Sequence, residues 1–126
     1  MAYLTQSVVR ATGMDLRNAT SFVIMTTNVD ELFRFHPITL VMQLTAVSGF
    51  VAAPTISLGT NASNYDNLVP ATALIGMSTV NDAIAFSIVG RPYPSMAAGT
   101  EIRLRVSVAA NATTYVVKTM LPGIYD

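Results

Sequence analysis

The sequence contains no cysteine and no tryptophan, one histidine (His36) and one lysine (Lys118). Without cysteine there is no disulfide framework, no thiolate metal site and no cysteine nucleophile. A lone histidine leaves zinc to be completed by carboxylates, and none stands at a telling spacing. Charge is scarce as well: 11% of residues are Asp, Glu, Lys or Arg, against about 25% in an ordinary soluble domain. Seven basic and seven acidic residues cancel, so the cationic excess that releases counterions from nucleic acid is missing. Long apolar runs are missing too. Arg34, Gln43, Arg91 and Arg103 interrupt them, and no stretch approaches the roughly 20 residues of a spanning helix. The opening MAYLTQSVVRATG lacks the basic start and unbroken apolar core of a signal peptide.

What is present is β-branched. Thr, Val and Ile make up 37 of the 126 residues, a bias toward strands. Period-two alternation supports it. In EIRLRVSVA, Ile102, Leu104, Val106 and Val108 fall on one face and Glu101, Arg103, Arg105 and Ser107 on the other. Similar alternation runs from Ile38 through Leu40, Met42, Leu44 and Ala46, and through Ile84, Phe86 and Ile88. Further strands are expected at Leu4–Val9, Phe22–Thr27, Thr55–Leu58 and Thr113–Leu121, where Tyr115, Val117 and Leu121 share a face. Turn residues separate these runs. Asn28-Val29-Asp30-Glu31 has the form of a helix start, and Pro37 leaves it barely two turns; another turn is expected near Asn64–Val69. The expectation is all-β: one antiparallel β-sandwich domain over residues 1–126, jelly-roll-like or Greek-key, with at most one or two short helical turns.

No pattern carries catalysis. His36, a serine and Asp66 make a triad only on paper, since no nucleophile-elbow context surrounds them. The polar stretch TNASNYDN, residues 60–67, has oxygens enough for calcium but a single carboxylate, Asp66, and none of the D-x-D-x-D-G spacing. Asn18, Asn61 and Asn111 each open an N-x-S/T sequon, and with no secretion signal all three are read as turn chemistry. Neither catalytic residues, nor a metal, nor a cofactor is expected.

The functional reading therefore rests on surfaces. A charge-poor exterior with arginine in place of lysine suits a subunit whose faces are covered by neighbours. Tyr65, Tyr93 and Tyr125 are expected in or beside loops, where tyrosine serves either a sugar platform or a subunit interface; the shortage of charge favours the interface. Arg103 and Arg105, beside Glu101, read either as a solvated face or as a pairing surface. Met1–Arg10 is expected to be an extended arm, with Leu4, Val8 and Val9 in a segment suited to adding a strand to a partner's sheet. Leu4, Val8, Val9, Tyr65, Tyr93, Arg103 and Arg105 are thus the expected partner contacts.

Three stretches combine into a resemblance: ISLGTNASNYDNLVPATALIG, the Ala-Gly-Thr-Glu turn entering IRLRVSVAANATTYVVKTMLPG, and the closing Gly-Ile-Tyr. Together they resemble small structural proteins of tailed-bacteriophage virions, especially the β-rich proteins that decorate or cement heads. The resemblance is strongest over Thr55–Asp126 and is one of loop and strand style, so it transfers no individual functional residue. It implies a virion protein made in the host cytoplasm, bound to the outer surface of the major capsid protein as a homo-oligomer, with a trimer favoured. The alternative is a carbohydrate- or receptor-binding β-sandwich of a tail or head fibre, with Tyr65 or Tyr93 as the contact. Nucleic acid and membrane are not expected partners.

Overall fold

The alternating runs become strands in a computed structural model that describes residues 5–26, 33–35, 39–88, 95–96 and 99–125. Ten strands follow one another: β1 (Thr5–Asp15), β2 (Ser21–Thr26), β3 (Phe33–Phe35), β4 (Thr39–Ser48), β5 (Thr55–Gly59), β6 (Val69–Ala73), β7 (Ala83–Ser87), β8 (Ser95–Met96), β9 (Glu101–Val108) and β10 (Thr114–Tyr125). There is no helix among the described residues. The expected helix start at Asn28–Glu31 lies outside them. At Asn64–Val69 the expected helical turn is replaced by a turn over residues 62–64 and the start of β6.

Every strand pairing is antiparallel. In the first sheet β10 is flanked by β1 on one side. On its other side it pairs first with β4, from Thr114↔Ser48 to Met120↔Val41, then with β3, from Gly123↔Phe35 to Tyr125↔Phe33. Beyond these, β7 pairs with β4 and β8 with β3. The six strands thus occupy four places in the sheet. The second sheet has the order β2-β9-β5-β6.

Following the chain through these eight places gives the topology. Only β5 to β6 stays within one sheet; every other step, with β3/β4 and β7/β8 each taken as one place, crosses to the opposite sheet. That path is the jelly roll, two Greek keys folded face to face. The expected all-β sandwich is what forms.

The core lies between the sheets. Leu40, Met42, Leu44, Val117 and Leu121 enter it from the first sheet, and Ile24, Ile56, Leu58, Ile102, Leu104 and Val106 from the second. Leu16, Leu74 and Met77 close one end. In β9 Ile102, Leu104 and Val106 are buried and Arg103, Arg105 and Ser107 half-buried, but Val108, expected on the buried face, is 55% exposed where the register against β5 shifts. Alternation slips where a bulge inserts a residue. One such slip lies between Ala11 and Met14, where Gly13 has φ +69°, and another between Val23 and Met25.

The N-terminal segment is engaged within its own chain. From Thr5 to Arg10 it pairs with Tyr125 to Met120 of β10, so among the described residues it is an edge strand of the first sheet, and Tyr125, expected in or beside a loop, lies in that pairing. Residues 1–4, including Leu4, lie outside the described part, and Val8 and Val9 are placed by their backbone alone.

Candidate functional site

The polar stretch at residues 60–67 folds back over the outer face of the second sheet. Ser57, on the outward side of β5, is 1% exposed because the loop lies on it, and its hydroxyl donates to the Asn64 carbonyl at 3.3 Å. The next outward position is Gly59, where a Cβ would stand 2.5 Å from the Tyr65 carbonyl carbon and 2.6 Å from the Asp66 nitrogen. Only glycine admits that approach.

Side-chain amides hold the loop closed. The Asn61 Oδ1 accepts from the Asp66 N–H at 2.9 Å and the Asn67 N–H at 3.2 Å, and its Nδ2 donates to Asp66 Oδ1 at 2.8 Å. The Thr60 N–H donates to Asn67 Oδ1 at 2.8 Å, and Asn67 Nδ2 returns a bond to the Thr60 hydroxyl at 3.0 Å. Asn61, Asp66 and Asn67 thus serve the loop itself, as turn chemistry requires. Asp66, the one carboxylate considered for calcium, is engaged by Asn61.

This fold-back brings together three of the residues expected at an interface. Tyr65 lies with φ +46°, in a region sparsely used by bulky side chains, and the Asn61 carbonyl accepts its N–H at 2.7 Å. Its ring centre is 5.8 Å from the guanidinium carbon of Arg103, a cation–π arrangement. Arg103 also bonds Glu101 and donates through Nη1 to the Ser21 hydroxyl at 3.1 Å. Arg105, two residues on and on the same face, makes no hydrogen bond or ion pair to any described residue. Beside it opens a cleft of about 360 Å³ between the folded-back loop and the start of β2, lined by Thr20, Ser21, Ser63, Tyr65, Arg105 and Ser107 among others. Tyr93 and His36 lie outside the described residues.

A second surface carries no sequence signal. The loops after β1, β4, β6 and β9 meet at one end of the sandwich. The Ala110 N–H donates to the Leu16 carbonyl at 2.9 Å, the Val51 N–H to the Asn111 carbonyl at 2.7 Å, and the Leu74 N–H to the Pro54 carbonyl at 2.9 Å. The Tyr115 hydroxyl donates to the Met77 carbonyl at 2.7 Å, and the Tyr115 ring lies 6.1 Å from that of Phe50. Burial pushes the Tyr115 phenol up to about 12, with the Asp82 charge adding to it. This end exposes Phe50, Val51 (70%), Ile75 (82%) and Val80. Its described charges are engaged internally. Arg17 pairs with Asp15 at 2.7 Å, a hydrogen-bonded contact that holds the Asp15 carboxyl below its usual range. Asp82 Oδ2 accepts from the N–H groups of Ser78 and Thr79 at 3.1 and 2.9 Å. Scattered single apolar residues look ordinary in sequence; only the topology gathers them.

No protein-family model matches the chain, and no curated protein matches it in sequence. Solved structures share its fold. A chain of the cyanophage Pam1 capsid asymmetric unit aligns with a TM-score of 0.60 at 9% identity, over 96% of this chain and 84% of that one. A chain of the acid-stable capsid of Helicobacter pylori bacteriophage KHP30 aligns with a TM-score of 0.58 at 8% identity, over 98% and 87%. At these identities the likeness is one of fold. It covers nearly the whole chain, whereas the resemblance in sequence was strongest over Thr55–Asp126.

Proposed function

We propose that this chain is a non-enzymatic structural protein of a bacteriophage virion, and more narrowly a head decoration or cement protein that assembles as a symmetric trimer on the major capsid protein. The observation that carries this reading is that nearly the whole chain aligns in fold with chains of two phage capsid structures. The surface supports it. At the loop end, Phe50, Val51 and Ile75 lie exposed among charges that are already engaged within the chain. Such a surface meets a second copy of itself without stranding a charge, and covering it removes apolar area from water. We assign the subunit contact there.

A second contact is proposed along β1, which has β10 on one side and no strand on the other among the described residues. Such an edge accepts a partner strand. Val8 and Val9 then belong to a receiving edge rather than a donated arm.

Copy number in the virion tests the reading. Quantitative protein analysis of purified particles is expected to give hundreds of copies, in a stoichiometric ratio to the major capsid protein. A handful of copies would place the chain in the tail and overturn the decoration role. Sedimentation of the purified protein is expected to show a discrete trimer; a monomer at high concentration would refute the trimer.

A further inference from the structure

The cleft beside Arg105 is not needed by the loop-end contact, and its chemistry is specific. Arg105 is half-buried and carries a full positive charge with no partner among the described residues. No acidic side chain lines the cleft, and the carboxylate on the same face, Glu101, is bound to Arg103. Five hydroxyl-bearing residues, Thr20, Ser21, Ser63, Tyr65 and Ser107, line the cleft with Arg105. Ser21 accepts from Arg103, and Ser107 makes only a long bond of 3.4 Å to the Thr55 carbonyl. The hydroxyls of Thr20, Ser63 and Tyr65 bond no described group.

We propose that this cleft binds a carboxylate-bearing sugar residue, of the uronic or sialic acid type. A guanidinium presents a planar fork of donors that matches a carboxylate in two parallel bonds. Hydroxyls both donate and accept, so they pair with sugar hydroxyls in whichever sense the ring offers. Size decides between a sugar and a bare carboxylate. The volume of about 360 Å³ equals that of about twelve water molecules at roughly 30 Å³ each. It lies near the lower bound for ligand pockets of about 300 Å³, room for a group larger than a single carboxylate. Tyr65 supplies a ring edge or face at the rim, and the Arg103 stack and the Asn61 bond hold it in its left-handed conformation before any ligand arrives. Pre-placement of this kind lowers the cost of ordering on binding.

The test is an amide-detected NMR titration of the whole protein with glucuronic acid, N-acetylneuraminic acid, glucose and acetate. One or both acidic sugars are expected to shift the backbone amides of Ser21, Ser63, Arg105 and Ser107 with a millimolar Kd. Glucose and acetate are each expected to bind at least about tenfold more weakly, because each offers half of the recognised chemistry. Arg105→Gln is expected to lose at least about tenfold in affinity for the acidic sugar while its remaining spectrum stays that of the parent. Absence of shifts with both acidic sugars at about 50 mM overturns the proposal. So does glucose binding as tightly as either, or Arg105→Gln binding unchanged. Acetate binding as tightly as the sugars also overturns it and makes the cleft a receptor for an acidic protein side chain. The wild-type arms decide the matter even where the variant fails to fold. None of these outcomes bears on copy number in the virion, which tests the structural role separately.

Discussion

Tyr115 and Thr119 send hydroxyls into the interior from the same face of β10, and removing them is expected to move stability in opposite directions. Both residues are 0% exposed. The Tyr115 hydroxyl bonds the Met77 carbonyl at 2.7 Å and so ties β10 to the loop between β6 and β7. The Thr119 hydroxyl has no partner among the described residues. Tyr115→Phe keeps the ring and its packing but removes the bond and strands a carbonyl, which costs about 1–3 kcal/mol. Thr119→Val keeps the side-chain shape and removes a desolvated, unpaired hydroxyl, a gain of about 1 kcal/mol. Urea denaturation at fixed protein concentration reads both, because the slope in urea is about 1–3 kcal/mol/M. The midpoint is expected to fall by roughly 1 M for the first variant and rise by roughly half that for the second. A loss on Thr119→Val would show that its hydroxyl is satisfied, for instance by an internal water. No change on Tyr115→Phe would show that the tie to Met77 is not made. The pH dependence adds a second reading. The phenol of Tyr115 is raised to about 12 by burial and then by Asp82, while an unfolded tyrosine titrates near 10. The folded chain therefore holds this proton more tightly. Its contribution is complete below pH 10 and lost as pH climbs through 12, and Tyr115→Phe is expected to flatten that part of the decline.

Other substitutions probe the site and the surfaces. Gly59→Ala places a methyl against the backbone of Tyr65 and Asp66 and is expected to cost about 1–3 kcal/mol, with the Ser57, Asn64 and Tyr65 amide signals shifting as the loop lifts; unchanged signals would contradict the fold-back. Asp82→Ala removes the acceptor for the Ser78 and Thr79 N–H groups, a capping loss of about 1 kcal/mol by analogy with helix caps, measured by thermal melting. Ile75→Asp, at a position 82% exposed, is expected to leave monomer stability within about 0.5 kcal/mol and to dissociate the oligomer in sedimentation. An intact oligomer would move the subunit contact away from the loop end.

Much of the sandwich is legible before folding. Ile102, Leu104 and Val106 alternate with Glu101, Arg103, Arg105 and Ser107 in the sequence, and the structure buries the first set and turns the second outward. Elements that lack this signature are harder to read. β6 contains Val69-Pro70-Ala71-Thr72-Ala73, with a proline and two alanines, and is a strand because β5 pairs with it at the sheet edge. The second half of β1 is hidden by the bulge at Gly13, which breaks the alternation although the pairing with β10 resumes at Met14. The composition of Leu4–Val9 announces a strand but not its partner, and from Thr5 onward that partner is the chain's own β10.

The candidate site divides in the same way. That Arg103 and Arg105 share a face follows from a two-residue period, a local property of an extended backbone. That Tyr65 lies over Arg103, 38 residues away in sequence, follows from which strands became neighbours and from the close approach of the loop to Gly59. The cleft exists only because that loop folds back toward the start of β2, which β9 holds alongside. Likewise Phe50, Val51 and Ile75 are ordinary loop residues until the sheet crossings bring their loops to one end. Sequence by itself determined the strongly alternating strands and most of their buried faces, because both are encoded in neighbouring residues. The choice of partner strand, and with it every functional surface, was decided by long-range pairing in the tertiary structure.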